Sequence, residues 1–175
     1  MKAIDPEEQY LKGRVTLVTG AASGIGRVVV CALAAFGATT VLLDYSLREL
    51  EETYDTIENA GYPQPAIYPL NLETATQKDY LELADKIRTE FGRLDGLLHN
   101  AAKLGYLTPL DEYDTETWYE VMQVNPNAPF MLTQACLPLL KSLMMHRLYS
   151  RLIMTQESTM PTGAHMAYPS MLSMA

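Results

Sequence analysis

Basic residues are in short supply: 13 lysines and arginines face 21 aspartates and glutamates, leaving a net charge of -8. They form no cluster, which excludes a nucleic-acid-binding surface. Cysteine is scarcer still, with two in 175 residues. Cys31 and Cys136 both fall in apolar helical stretches, so they read as buried thiols in a reducing compartment and not as a disulfide framework. No group of His, Cys, Asp and Glu has the spacing of a metal site. No apolar run approaches the roughly 20 residues that a membrane span requires. The opening "MKAIDPEEQY" has no apolar core and therefore no signal-peptide character. These absences lead to the expectation of a cytoplasmic protein, with neither nucleic acid nor membrane as partner. The 48% of hydrophobic and 19% of charged residues are those of a globular chain, long enough to bury one core.

What the sequence does contain is an alternation of strand and helix patterns. The β-branched run "RVTLVTG" (14–20) predicts a buried strand, and "GIGRVVVCALAAFG" (24–37) predicts a helix closed by Gly37. A second strand is expected over 39–44. A second helix, over 46–61, opens on Ser46 and ends at Gly61. Then come a strand over 65–70, an amphipathic helix over 73–92 with Leu81, Ala84 and Ile87 on one face, and a strand over 94–102. Two helices, about 114–124 and 127–142, and a possible fifth strand over 151–155 follow. Such alternation implies an α/β fold: a doubly wound parallel sheet of Rossmann type, strand order 3-2-1-4, in a single dinucleotide-binding domain over residues 1–175.

The chemistry lies between the first strand and the first helix. "TGAASGIG" places Gly20, Gly24 and Gly26 at that turn, with Ala22, Ser23 and Ile25 among them. One glycine allows the tight turn, one lets backbone amides approach a pyrophosphate, and one lets helix and strand pack closely. The helix N-terminus then offers free N–H groups and a positive dipole end to the anion. Asp44 ends the second strand, 18 positions after Gly26. A carboxylate there accepts the ribose hydroxyls of adenosine and repels a 2′-phosphate, which favours NAD over NADP. Arg27 and Arg48 are the basic residues near enough in sequence to reverse that preference, and an ordinary turn aspartate is the plainer alternative.

These residues resemble the short-chain dehydrogenase/reductase family over about 10–141, and "GYLTPLDEYDTETWYEVMQVN" is similar to its bacterial oxidoreductases of unresolved substrate. "HNAA" (99–102) resembles the motif that follows the family's fourth strand and keeps Asn100 and Ala101 at its centre. Asn71 and Leu72 stand where the family touches adenine, and Asn125 where it has a functional asparagine. The resemblance implies hydride transfer between a nicotinamide and a carbonyl or alcohol carbon. A tyrosine is then the general acid/base, a lysine four residues later lowers its pKa, a serine bonds the substrate oxygen, and the asparagine holds a water of the proton relay. It also implies a homo-oligomer, with further strands and a substrate lid beyond residue 175. His99, beside the motif, reads as a buried strand-end histidine, and Trp118, Tyr106, Tyr113 and Tyr119 as helix packing.

The tail departs from this pattern. Seven of ten methionines lie in 144–175, the last lysine is Lys141, and Glu157 is the lone acid after it. Residues 142–175 are therefore set apart from the family-like 1–141. Thr155 and Tyr168 are 13 residues apart, a spacing like the family's serine-to-tyrosine interval. Yet Leu172 occupies the lysine position, and Pro169 follows Tyr168 directly. Read one base out of frame, the codons of His165 to Leu172 permit Tyr-Gly-Val-Ser-Lys-Tyr-Ala. Those of 144–152 permit Asp-Ala-Ser-Val-Val-Phe-Thr-Ser. A single-base deletion near 142–143 accounts for both, and the coding DNA tests it. Two functions stay open: an NAD-dependent oxidoreductase by descent, or a nucleotide-binding remnant without catalysis or truncated product without function.

Overall fold

A computed structural model of the chain describes residues 9–141 and 147–150. Strands and helices alternate: β1 Val15–Thr19, α1 Gly24–Ala35, β2 Thr39–Asp44, α2 Leu47–Asn59, β3 Ala66–Pro69, α3 Gln77–Phe91 and β4 Gly96–His99. After β4 come α4 Thr115–Met122, α5 Ala128–Lys141 and β5 Arg147–Ser150. The sheet is parallel in the order β3-β2-β1-β4-β5, so the expected 3-2-1-4 order holds. The fifth strand precedes the stretch 151–155 where it was expected, and that stretch lies outside the described residues.

Side chains alternate across the strands and build a core on each face. Leu17, Val41 and Leu43 pack with α3 and α5, while Val18 and Leu42 pack with α1 and α2. At the lower edge the Asp95 carboxylate, 6% exposed, accepts from Val15 N (2.9 Å), Arg14 Nη1 (2.7 Å) and Arg93 Nε (2.8 Å). Burial pushes its pKa up, but the two guanidinium groups and the amide outweigh this and hold it below the usual range.

Several expectations need correction. Helix α3 begins at Gln77, not at 73, because the Asn71 side chain accepts from Glu73 N (2.9 Å) and turns the chain before the Thr76–Asp79 capping box starts the helix. Its buried stripe is Tyr80, Leu83, Ala84 and Ile87, which leaves Leu81 53% exposed. The two late helices are not separated. A π-helical turn, Gln123–Asn127, joins them and absorbs Pro126, whose missing N–H would break a regular helix. Trp118 does meet Tyr113 edge-on, but Tyr106 and Tyr119 face solvent. Cys136 is buried as expected, its thiol pushed up to about 12 by desolvation, whereas Cys31 is only partly covered.

Tyr80 is fully buried, and its hydroxyl has no partner among the described residues. Burial, with Asp79 adding to it, pushes its pKa up to about 12. An orphan hydroxyl in a core costs about 1–3 kcal/mol. Tyr80→Phe is therefore expected to raise unfolding stability by about 1 kcal/mol in urea. A loss of similar size would show the hydroxyl to be bonded.

Candidate functional site

The carboxyl ends of β1, β2, β3 and β4 open onto one cleft of about 510 Å³. The point where strand order reverses, between β1 and β4, lies within it, as ligand sites of open α/β sheets do. Gly20, Ser23, Gly24 and Ile25 line it from the first loop, Asp44 and Tyr45 from the end of β2, Leu70 to Glu73 from the end of β3, and Asn100 to Lys103 from the end of β4.

The three glycines have distinct tasks. Gly20 turns the chain at φ +66°, and Gly24 starts α1 at φ +51° on the cleft surface. Gly26 is buried and does not line the cleft. A Cβ there would overlap the Gly20 carbonyl oxygen and stand 2.7 Å from Asn100 Nδ2. Ser23, the N-cap of α1, makes no side-chain cap bond, and the first turn carries no acid, so the helix end is suited to an anion. Ala22 does not line the cleft either. Its N–H donates to Asp44 Oδ2 (3.2 Å), and its carbonyl accepts from Thr53 Oγ1 (3.3 Å). Of the seven cofactor residues expected in the first loop and at the end of β2, Ala22 and Gly26 thus shape the cradle from behind.

Asp44 is 7% exposed. Besides Ala22, the Ser46 N–H donates to its Oδ1 (3.3 Å). The carboxylate is thereby fixed at the strand end with its remaining acceptor capacity toward the cleft. Arg48, 88% exposed, donates to Glu52 (3.3 Å), and Arg27 donates to Thr56 (3.2 Å). Neither lines the cleft. Leu72, buried, and Asn71 do line it.

Asn100 and Ala101 are held by a residue that the sequence reading passed over. Thr19 Oγ1, at the buried end of β1, accepts from the N–H of both, at 3.1 Å each. Asn100 Nδ2 donates to the carbonyls of Thr19 and Gly20, both at 3.2 Å. The available signal was a threonine at the end of β1, where a buried hydroxyl needs a partner. His99 is buried as expected, 5% exposed, with Nε2 2.9 Å from Thr133 Oγ1. Desolvation pushes its pKa down to about 4, so it is neutral.

Asn125 lies within the π-helical turn. Its Oδ1 accepts from Lys103 N and its Nδ2 donates to Lys103 O, both at 2.9 Å. The amide is committed to that backbone, so it orients the loop after β4. Lys103, also unforeseen, extends its Nζ to Glu73 Oε1 (2.6 Å) and Glu120 Oε2 (2.8 Å). The hydrogen bonds to Glu120 and Glu73 hold it charged, its pKa raised above the ordinary lysine value. Thr155 and Tyr168 lie outside the described residues.

A family model described as short chain dehydrogenase matches residues 14–160. The uncharacterized oxidoreductase YciK of Escherichia coli K12 is 44% identical over 135 residues, 77% of this chain and 54% of that protein. A solved chain from Pseudomonas syringae described as a short chain dehydrogenase is 51% identical, with a TM-score of 0.81 over 86% of this chain and 62% of the other. Another, from Escherichia coli CFT073 and complexed with NADPH, is 44% identical, with a TM-score of 0.78 over 82% of this chain and 60% of the other. The chain spans about half the length of the curated relatives it matches. No helix among the described residues is long and apolar enough to cross a membrane.

Proposed function

The chain belongs to the short-chain dehydrogenase family, and on that premise we propose that its cleft binds a nicotinamide dinucleotide for hydride transfer to or from a carbonyl or alcohol carbon. One observation carries the reading. The glycine cradle, the uncapped N-terminus of α1, Asp44 and the loop after β4 converge on one cleft at the switch point of the sheet. The residues fit the group: Gly24 leaves open space at the uncapped start of α1, a Cβ at Gly20 or Gly26 would push apart the loops that shape the cradle, and Asp44 holds an anchored carboxylate for hydroxyls.

Ser23, Gly24 and Ile25 would hold the pyrophosphate, Asp44 the adenosine ribose, and Asn71 and Leu72 the adenine. When bound, the nicotinamide supplies the hydride chemistry. Asn100 and Ala101 would flank the far half of the cofactor, kept in place by Thr19. Asn125 is a positioning residue, since its amide fixes residue 103.

One observation favours the second reading, nucleotide binding without catalysis. Among the described residues Lys103 is the cleft's one cation, and two glutamates occupy it. A lysine so engaged does not depress a tyrosine pKa. Thr155 and Tyr168 would supply the substrate-bonding hydroxyl and the acid/base if 142–175 is used as it stands, whereas under the out-of-frame reading Tyr168 has no part. NADH fluorescence titration of the full chain, with a turnover assay on mixed carbonyl substrates, separates the readings. Binding with turnover supports the dehydrogenase, binding without turnover supports the second reading, and no binding overturns both.

The choice of cofactor is a finer point. A solved relative carries NADPH, while the buried Asp44 carboxylate of this chain supports NAD. Asp44→Asn keeps an acceptor for the Ala22 amide and removes the charge. It is expected to tighten NADPH about tenfold while weakening NADH less. Equal NADPH affinity in both proteins would show that Asp44 does not select.

A further inference from the structure

The walls of the cleft come from elements that are not neighbours. Glu73 follows β3 at one edge of the sheet, whereas Lys103 follows β4, with β2 and β1 between the two strands. The Lys103 ammonium nevertheless meets Glu73 Oε1 at 2.6 Å. Its other partner, Glu120 on α4, lies 2.8 Å away on its own side. The backbone of residue 103 is not free to follow its side chain, because both polar groups of Asn125 hold it at 2.9 Å. The ammonium therefore reaches across the mouth of the cleft from a fixed base.

Stability does not account for this arrangement. The side chains of Lys103, Glu73 and Glu120 are 30%, 37% and 48% exposed, and ion pairs so wet contribute little to folding. Solvating the ammonium would serve the fold almost as well. What the Glu73 bond does is join the wall after β3 to the wall after β4, over which any ligand longer than a mononucleotide has to lie. Preorganising two separate walls favours a ligand that spans them and leaves one that touches a single wall unaffected.

We infer that Lys103 is a positioning residue that clasps the two walls of the cleft through Glu73, and that the clasp sets affinity for a whole dinucleotide but not for its adenosine half. The inference rests on the nucleotide-binding reading above. It makes a prediction opposite in sign to simple electrostatics. Neutralising Glu73 removes a negative charge beside an anionic ligand and frees Lys103 to bind phosphate directly. On charge alone it should tighten binding. A clasp requires it to weaken binding.

The test compares NADH and 5′-AMP binding to the full chain and to Lys103→Met, Glu73→Gln and Glu120→Gln, with melting temperatures as a check on folding. NADH affinity is expected to fall about fivefold in Lys103→Met and Glu73→Gln. Glu120→Gln keeps the crossing bond and should stay within about twofold of wild type, as should 5′-AMP binding in all three variants. NADH binding that tightens or stays unchanged in Glu73→Gln overturns the clasp and makes Lys103 a bystander or a direct phosphate ligand. Parallel loss of 5′-AMP binding also overturns it, as a collapse of one loop would. A wild-type chain that binds neither ligand takes down the nucleotide-binding reading, and the clasp with it. Wild-type binding with an unaltered Glu73→Gln removes the clasp alone.

Discussion

Gly26→Ala is expected to cost about 4 kcal/mol or more of folding stability and to abolish dinucleotide binding. The added Cβ would overlap the carbonyl oxygen of Gly20 and press on Asn100 Nδ2 at 2.7 Å. Both obstacles are short of room to move. The Gly20 carbonyl is backbone and accepts from Asn100 Nδ2 at 3.2 Å, and Asn100 is pinned through its own N–H by Thr19 at 3.1 Å. Helix α1 would have to lift from the loop, withdrawing its N-terminus from the cleft and opening the core around Val30 and Ala34. Gly24→Ala is the control. Gly24 has open space around its missing Cβ and only a φ of +51° to strain, so it should cost about 1 kcal/mol. Urea titrations of the two variants measure both. Near-equal effects would mean that the helix gives way more easily than the contacts show.

The contrast between these glycines also shows what a sequence can disclose. The cradle, its flanking strand and helix, and Asp44 at the end of β2 are written in local spacing, so "TGAASGIG" and its context were legible without coordinates. Thr19 and Lys103 were not, because their partners lie far along the chain. Thr19 serves residues 81 and 82 positions away, and Lys103 serves Glu73 and Glu120, 30 and 17 positions away. No local pattern announces such pairs. The misplaced boundaries have a similar cause. Asn71 bonds its own turn and delays α3. Pro126 falls in the gap expected between two helices, but a π-turn carries the helix through it. Of the expected face Leu81, Ala84 and Ile87, the last two are buried, and Tyr80 and Leu83 complete the stripe in place of Leu81. Asn125 was singled out as the holder of a relay water, and that its amide is committed to the backbone of residue 103 is visible only in the fold.

Acid should unfold this chain earlier than its carboxylates alone require, and His99 is the reason. Burial pushes its pKa down to about 4 from an ordinary value of 6.5. Above that ordinary value both the folded and the unfolded chain hold it neutral, and it has no effect on stability. As pH falls from about 6.5 to about 4, the unfolded chain takes up a proton that the folded chain refuses, so stability drains through that window. Below about 4 both states are protonated and the loss is complete. The full loss is on the order of 3 kcal/mol, from 1.36 kcal/mol for each pH unit. Carboxylates such as Asp95 begin to titrate at the lower end of the same range, so the measurement is a difference. His99→Leu paired with Thr133→Val removes both partners of the 2.9 Å bond, and such a double replacement is nearly neutral at pH 7. Urea unfolding at pH 7, 5.5 and 4 should show the wild type losing about 3 kcal/mol more than the double variant. Parallel curves would place the charged histidine in solvent and remove it from the fold's acid limit.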